Sequence, residues 1–167
     1  RNFECKDKGV VIPMYKSLVR PRMDYCIQAW RPHFRKDIEV LERIQRRATK
    51  MVAGLSEMVY WDRLREVGLT TFETRVVRAD LLEVYRIFEG MERLRVDYFF
   101  VLDGNCLRGH NRKLFKKRFR LDVGKFCFGN RVCDDWNDLS ENVVRAESLN
   151  VYKTRLDQYL RHVKGLV

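Results

Sequence analysis

No apolar run in the 167-residue chain exceeds a few residues, so no segment reads as a membrane span. Glycine-rich phosphate loops are missing as well, which removes the usual nucleotide-binding motifs. The three histidines have no cysteine or serine nucleophile at a recognisable spacing, and no complete active site is visible. Internal repeats and low-complexity runs are absent. The five cysteines are odd in number and widely spaced, which points to a reducing intracellular compartment and not to a disulfide framework. There is no signal-peptide pattern, and Arg1 at the start reads as a cut in a longer chain.

What is abundant is positive charge. Thirty-four Lys and Arg against 23 Asp and Glu leave +11, a balance that favours polyanionic partners. Hydrophobic residues at 46% are enough for a real core at this length.

The periodicity of apolar residues is mainly helical. Val10 to Trp30 reads as two helices divided by Pro21. Asp37 to Ala53 is the clearest helix, closed by Gly54, and a shorter one over Glu57 to Val67 is closed by Gly68. Thr70 and Glu73 have capping-box spacing for a long helix ending at Phe88, before Gly90. From Met91 to Arg112 the period fades into a connector. In Arg118 to Val123, apolar Phe119, Leu121 and Val123 alternate with polar residues, the pattern of a half-buried strand; Phe115 and Phe119, interleaved with cations, could stack on bases or anchor the segment in the core, and the alternating face favours the core. Helical spacing returns over Phe128 to Leu139 and again after Ser148. The expectation is a mainly α fold with one or two short strands, in two parts: a helical bundle over 1–92 and a smaller, basic part over 93–167.

Two basic stretches are the candidate binding surfaces. At about 100° per residue, Ile38, Leu41, Ile44, Ala48, Met51 and Val52 fall on one side of the helix over 37–53, and Lys36, Arg43, Arg47 and Lys50 on the other. Glu39 with Arg43 and Glu42 with Arg46 are i,i+4 pairs in the favourable order, so some of this charge is expected to be neutralised locally. The second stretch holds Arg108, Arg112, Lys113, Lys116, Lys117, Arg118, Arg120 and Lys125 against Asp122 alone, a local charge of +7 that neighbours in sequence cannot cancel. Cations of this kind suit backbone phosphates, with steep salt dependence and little sequence preference.

Other constellations carry less. Cys106, His110, Cys127 and Cys133 contain ligand-type residues, but the C-x5-C spacing is loose and the surroundings of the last two are apolar, so buried free thiols are expected and no metal. Asp134 and Asp135 project about 100° apart on a helix, which does not make a two-metal site. No cofactor and no small-molecule substrate is indicated.

The chain also carries a resemblance. YKSLVRPRMDYCIQAWRP (Tyr15 to Pro32), KDIEVLERIQRRATKM (Lys36 to Met51), DRLREVGLTTFETR (Asp62 to Arg75), RGH (Arg108 to His110), RFRLDV (Arg118 to Val123), RVCDDWNDL (Arg131 to Leu139) and the Ser148, Lys153, Leu156, Asp157 pattern follow one another in order. Together they resemble the region after the catalytic palm in jockey-like non-LTR retrotransposon reverse transcriptases, the LINE type. The resemblance covers essentially the whole chain. It implies a thumb and C-terminal extension of an RNA-directed DNA polymerase, whose catalytic aspartates and endonuclease lie upstream. This chain alone would then be inactive, and its partners would be the RNA and DNA of a template–primer duplex, the element's RNA, and a palm not contained here. Leu107 before RGH, Gly129, Cys133 and Ser140 depart from the family pattern and read as drift. A different class of function is also compatible with the residues: a helical relic whose apolar faces dock a protein partner or self-associate.

Overall fold

The structure is a computed structural model that describes residues 5–104 and 109–164. Twelve helical segments account for most of the described chain, in the order α1 (Lys8–Met14), a π-helical turn (Tyr15–Val19), α2 (Arg20–Asp24), α3 (Ile27–Trp30), α4 (Arg35–Lys50), α5 (Tyr60–Val67), α6 (Phe72–Phe88), α7 (Val96–Phe99), α8 (Asp122–Lys125), α9 (Phe128–Asn137), α10 (Glu141–Val144) and α11 (Leu149–Lys164). The fold is mainly α. Contacts divide the chain into two compact units between Val76 and Val77, inside α6 and upstream of the boundary at 92 expected from the sequence.

In the first unit the chain does not break at Pro21. It runs helically from Lys8 to Asp24, and the wider π turn ahead of Pro21 accommodates a ring that an α-helical turn would crowd. The break comes later, at Cys26, which sits in the left-handed region at φ 48°. Gly68 closes α5 at φ 63° because a left-handed residue there satisfies the last carbonyls, and glycine adopts it without strain. The cap of α6 lies one residue beyond the expected position: Thr71 Oγ1 accepts the N–H of Thr74 at 3.1 Å. The apolar core of this unit is Ile12, Tyr15, Val52, Leu55, Tyr60, Leu64, Val67 and Leu69.

The second unit packs Val84, Tyr85 and Ile87 of α6 with Val132 and Trp136 of α9, and Tyr152, Leu156 and Leu160 of α11. Tyr85 stacks on Tyr152 at 4.1 Å between ring centroids, and Phe88 on Trp136 at 5.4 Å. His110, fully buried, packs edge-on against Trp136 at 5.9 Å between centroids. Gly129 lies where the Phe99 carbonyl comes close; a Cβ there would stand 2.3 Å from that oxygen, so the packing requires glycine at this position.

The strand expected over 118–123 is not formed. Those residues are irregular up to the short α8, and among the described residues the only pairing is a single antiparallel bridge between Leu102 and Leu114. With no partner segment to bury one face, Leu121 is 72% and Val123 79% exposed, and Phe119 also lies outside the core. No helix among the described residues is long and apolar enough to cross a membrane.

Candidate nucleic-acid interface

Helix α4 organises the first basic surface. Asp37 lies in its first turn and Arg47 and Lys50 in its last, each complementary to the helix dipole and together contributing about 0.3–1 kcal/mol per charge. Lys36, Arg43, Arg47 and Lys50 are all exposed, spread over about 21 Å of helix at 1.5 Å per residue. The two i,i+4 pairs expected to neutralise part of this charge are not made. Glu39 turns back to Arg35 at 3.6 Å, Arg43 Nε donates to the backbone carbonyl of Glu39 at 3.4 Å, and Glu42 points inward. Arg46 lies over the Tyr60 ring at 4.7 Å, and Lys36 over Phe34 at 5.4 Å. Among the described residues, none of Lys36, Arg43, Arg47 and Lys50 is bridged to a carboxylate.

The side of α4 that faces inward differs from the apolar one. Glu42, Gln45 and Thr49 are buried, whereas Ile44 is 40% and Met51 43% exposed. The reason is a hydrogen-bonded network centred on Gln45, which has no exposed surface. Its Oε1 accepts from Tyr15 Oη at 2.8 Å and from Arg75 Nη1; its Nε2 donates to Thr70 O at 2.9 Å and to Tyr60 Oη at 3.0 Å. Glu42 accepts from Tyr60 Oη and, at 2.7 Å, from the N–H of Phe72 at the start of α6. Burial, with the neighbouring Glu42 carboxylate, raises the Tyr60 phenol pKa well above its ordinary value, so it stays protonated and donates. Arg75 is in turn held by Asp24 at 3.3 Å. Apart from Arg75 Nε, which is buried without a hydrogen-bond partner among the described residues, the network is paired, and it favours one rotation of the helix because the alternatives would leave more of these buried groups unpaired. The basic face therefore stands on a rigid support.

The second basic segment, in the other unit, is less available than its sequence implies. Arg112 pairs with Glu89 and covers Phe88, Lys116 pairs with Asp134, and Lys125 with Asp122 at 3.2 Å. Glu89 and Asp134 are distant in sequence, which is why local counting missed them. Lys113 is half-buried. Lys117, Arg118 and Arg120 are exposed without a carboxylate partner among the described residues, and Arg108 lies outside the described residues. Cys106 also lies outside them. Both ring nitrogens of His110 are engaged by backbone, Nδ1 accepting from Arg112 N–H at 3.2 Å and Nε2 donating to Trp136 O at 3.0 Å. Burial pushes the Cys133 thiol up to about 11, so it is neutral. Asp134, paired with Lys116, is a surface carboxylate.

Sequence reading missed one further feature of the first unit. Val11, Met14, Leu18, Val19, Ala48 and Met51 line an apolar groove of about 240 Å³ between α1 with its π turn and the C-terminal half of α4. Leu18 is 59% exposed. The signal was available in the absence of any Asp or Glu over 8–23 and 43–56, which leaves the exposed apolar residues there bordered by cations alone.

No family model matches the chain, and no curated protein or solved structure is similar to it.

Proposed function

We propose that the chain is a non-catalytic, nucleic-acid-binding part of an RNA-directed DNA polymerase of the non-LTR retrotransposon kind, holding the backbone of an RNA–DNA template–primer duplex on the basic face of α4. The observation that supports this reading most is that Lys36, Arg43, Arg47 and Lys50 share one exposed face, unbridged to carboxylates, on a helix locked from behind by the Gln45 network. A hybrid duplex has an A-like shape, so phosphate and 2′-hydroxyl contacts are the mode such a face suits. Lys117, Arg118 and Arg120 offer a second set of contacts, to the duplex or to the element's RNA. The catalytic aspartates of the resemblance lie upstream of this chain, which binds without polymerising, inside the cell in nucleus or cytoplasm. Replacing Arg47 and Lys50 together by Ala weakens binding to all hybrid sequences alike and lowers the slope of log affinity against log salt by about 2. An unchanged slope, with loss instead on replacing Lys117, Arg118 and Arg120, would move the interface to the second unit.

A second reading is favoured by the apolar groove. A protein-docking module, with or without nucleic acid, would present such a concave apolar strip on otherwise charged helices.

A further inference from the structure

The geometry points to an acidic amphipathic helix as the occupant of the apolar groove in the first unit, an inference that rests on the second reading above. The floor is Val11, Met14, Leu18, Val19, Ala48 and Met51, and on α4 the exposed apolar residues continue to Ile44 and Val40. From Val40 to Met51 the stripe runs about 16 Å along the helix axis, enough to receive three turns of a partner helix through residues at i, i+3 or i+4, and i+7. Two methionines in the lining suit a surface that adapts to a helical side-chain row.

The rim selects the sign of the partner. Residues 8–23, which supply one wall, and residues 43–56, which supply the other, contain no Asp or Glu; Lys16 and Arg22 on the first and Arg43, Arg47 and Lys50 on the second have no carboxylate bridge among the described residues, whereas Lys8 is bridged to Glu66 at 2.9 Å and Arg46 lies over the Tyr60 ring. The two acids that flank residues 8–23 are both engaged: Asp7 caps α1 by accepting the Gly9 N–H at 2.5 Å, and Asp24 is held by Arg20 at 3.1 Å and Arg75 at 3.3 Å. A helix with leucines on one stripe and glutamates on its flanks fills the floor and meets cations on both sides. A second copy of this chain is disfavoured, because it would bring two positive rims together. A nucleic-acid backbone satisfies the rim but leaves the apolar floor uncovered.

The test uses the whole chain and three fluorescein-labelled 16-residue helical peptides with one leucine stripe and flanks of Glu, Gln or Lys. The Glu peptide binds at least tenfold more tightly than the Gln peptide, and the Lys peptide does not bind. Leu18→Asp and Met51→Ser, both at exposed positions that leave the core intact, each weaken the Glu peptide at least tenfold, while hybrid RNA–DNA binding stays as it was. Circular dichroism on both variants verifies that they fold. Equal binding of Glu and Gln peptides would overturn the charge selection and leave a docking groove standing. Binding of none of the three, or indifference to both substitutions, would overturn the docking reading itself. A chain that sediments as a dimer and becomes monomeric on Leu18→Asp would show that the occupant is a second copy, against the inference.

Discussion

Arg131 grips Asp80 through two parallel hydrogen bonds, Nε to Oδ2 at 2.9 Å and Nη2 to Oδ1 at 3.0 Å, with the carboxylate almost wholly buried. The pair joins α6 to the first turn of α9 and sets how those helices meet in the second unit. A forked guanidinium matches both carboxylate oxygens, a geometry that lysine cannot supply.

Removing one partner takes the counter-charge from the other. Asp80→Ala leaves the Arg131 guanidinium without its counter-charge in a buried site and destabilises the chain by about 3–5 kcal/mol. Urea denaturation followed by circular dichroism measures this. Replacing both residues by well-packed apolar ones recovers most of the loss, since the intact pair carries a desolvation cost of its own.

The Gln45 network makes a comparable prediction in the first unit. Gln45→Leu keeps a similar volume but strips Tyr15, Tyr60, Arg75 and Thr70 O of a common partner, at a cost of roughly 1–3 kcal/mol per group left unsatisfied. The loss of α4's fixed rotation is read from hydrogen exchange: amides of residues 38–50 exchange faster in the variant, while those of α11 are unaffected.

His110 gives the fold an acid-sensitive element. Burial, the largest cause, lowers its pKa below the ordinary 6.5, and a proton on Nδ1 would face the Arg112 N–H that it accepts in the native state. The unfolded chain therefore takes up this proton at higher pH than the folded one. The histidine's contribution to stability is complete above about pH 6.5 and is lost as pH falls through the lower folded value. Denaturant midpoints measured between pH 7.5 and pH 5 fall in the parent and fall less in His110→Gln, which begins from a lower stability at pH 7.5.

Much of the helical framework was legible in the sequence. Gly68 and Gly90 stand in left-handed conformations at the ends of α5 and α6, as expected where glycine follows an apolar period, whereas α4 already ends at Lys50, capped by Met51, and the left-handed Gly54 lies in the turn beyond it rather than closing the helix. The rotation of α4 was not legible, because Glu42, Gln45 and Thr49 repeat with the same spacing as an apolar stripe and are buried only by virtue of Tyr15, Tyr60 and Arg75, which come from other elements. The strand failed for a related reason: alternation over 118–123 states what a strand would look like, whereas a strand also requires a neighbour, and this segment has none among the described residues. For the candidate site, the basic face of α4 was visible from residue spacing alone. The partners that tie down Arg112 and Lys116 were not, since Glu89 and Asp134 are brought to them by tertiary packing.

The most direct measurement is the affinity of the chain for a fluorescent RNA–DNA hybrid at 50 and 200 mM salt. If the four cations of α4 each engage a phosphate, binding weakens on the order of 10²-fold between the two conditions and varies little with sequence. Binding absent at 50 mM, or equal at both salt concentrations, would contradict the account.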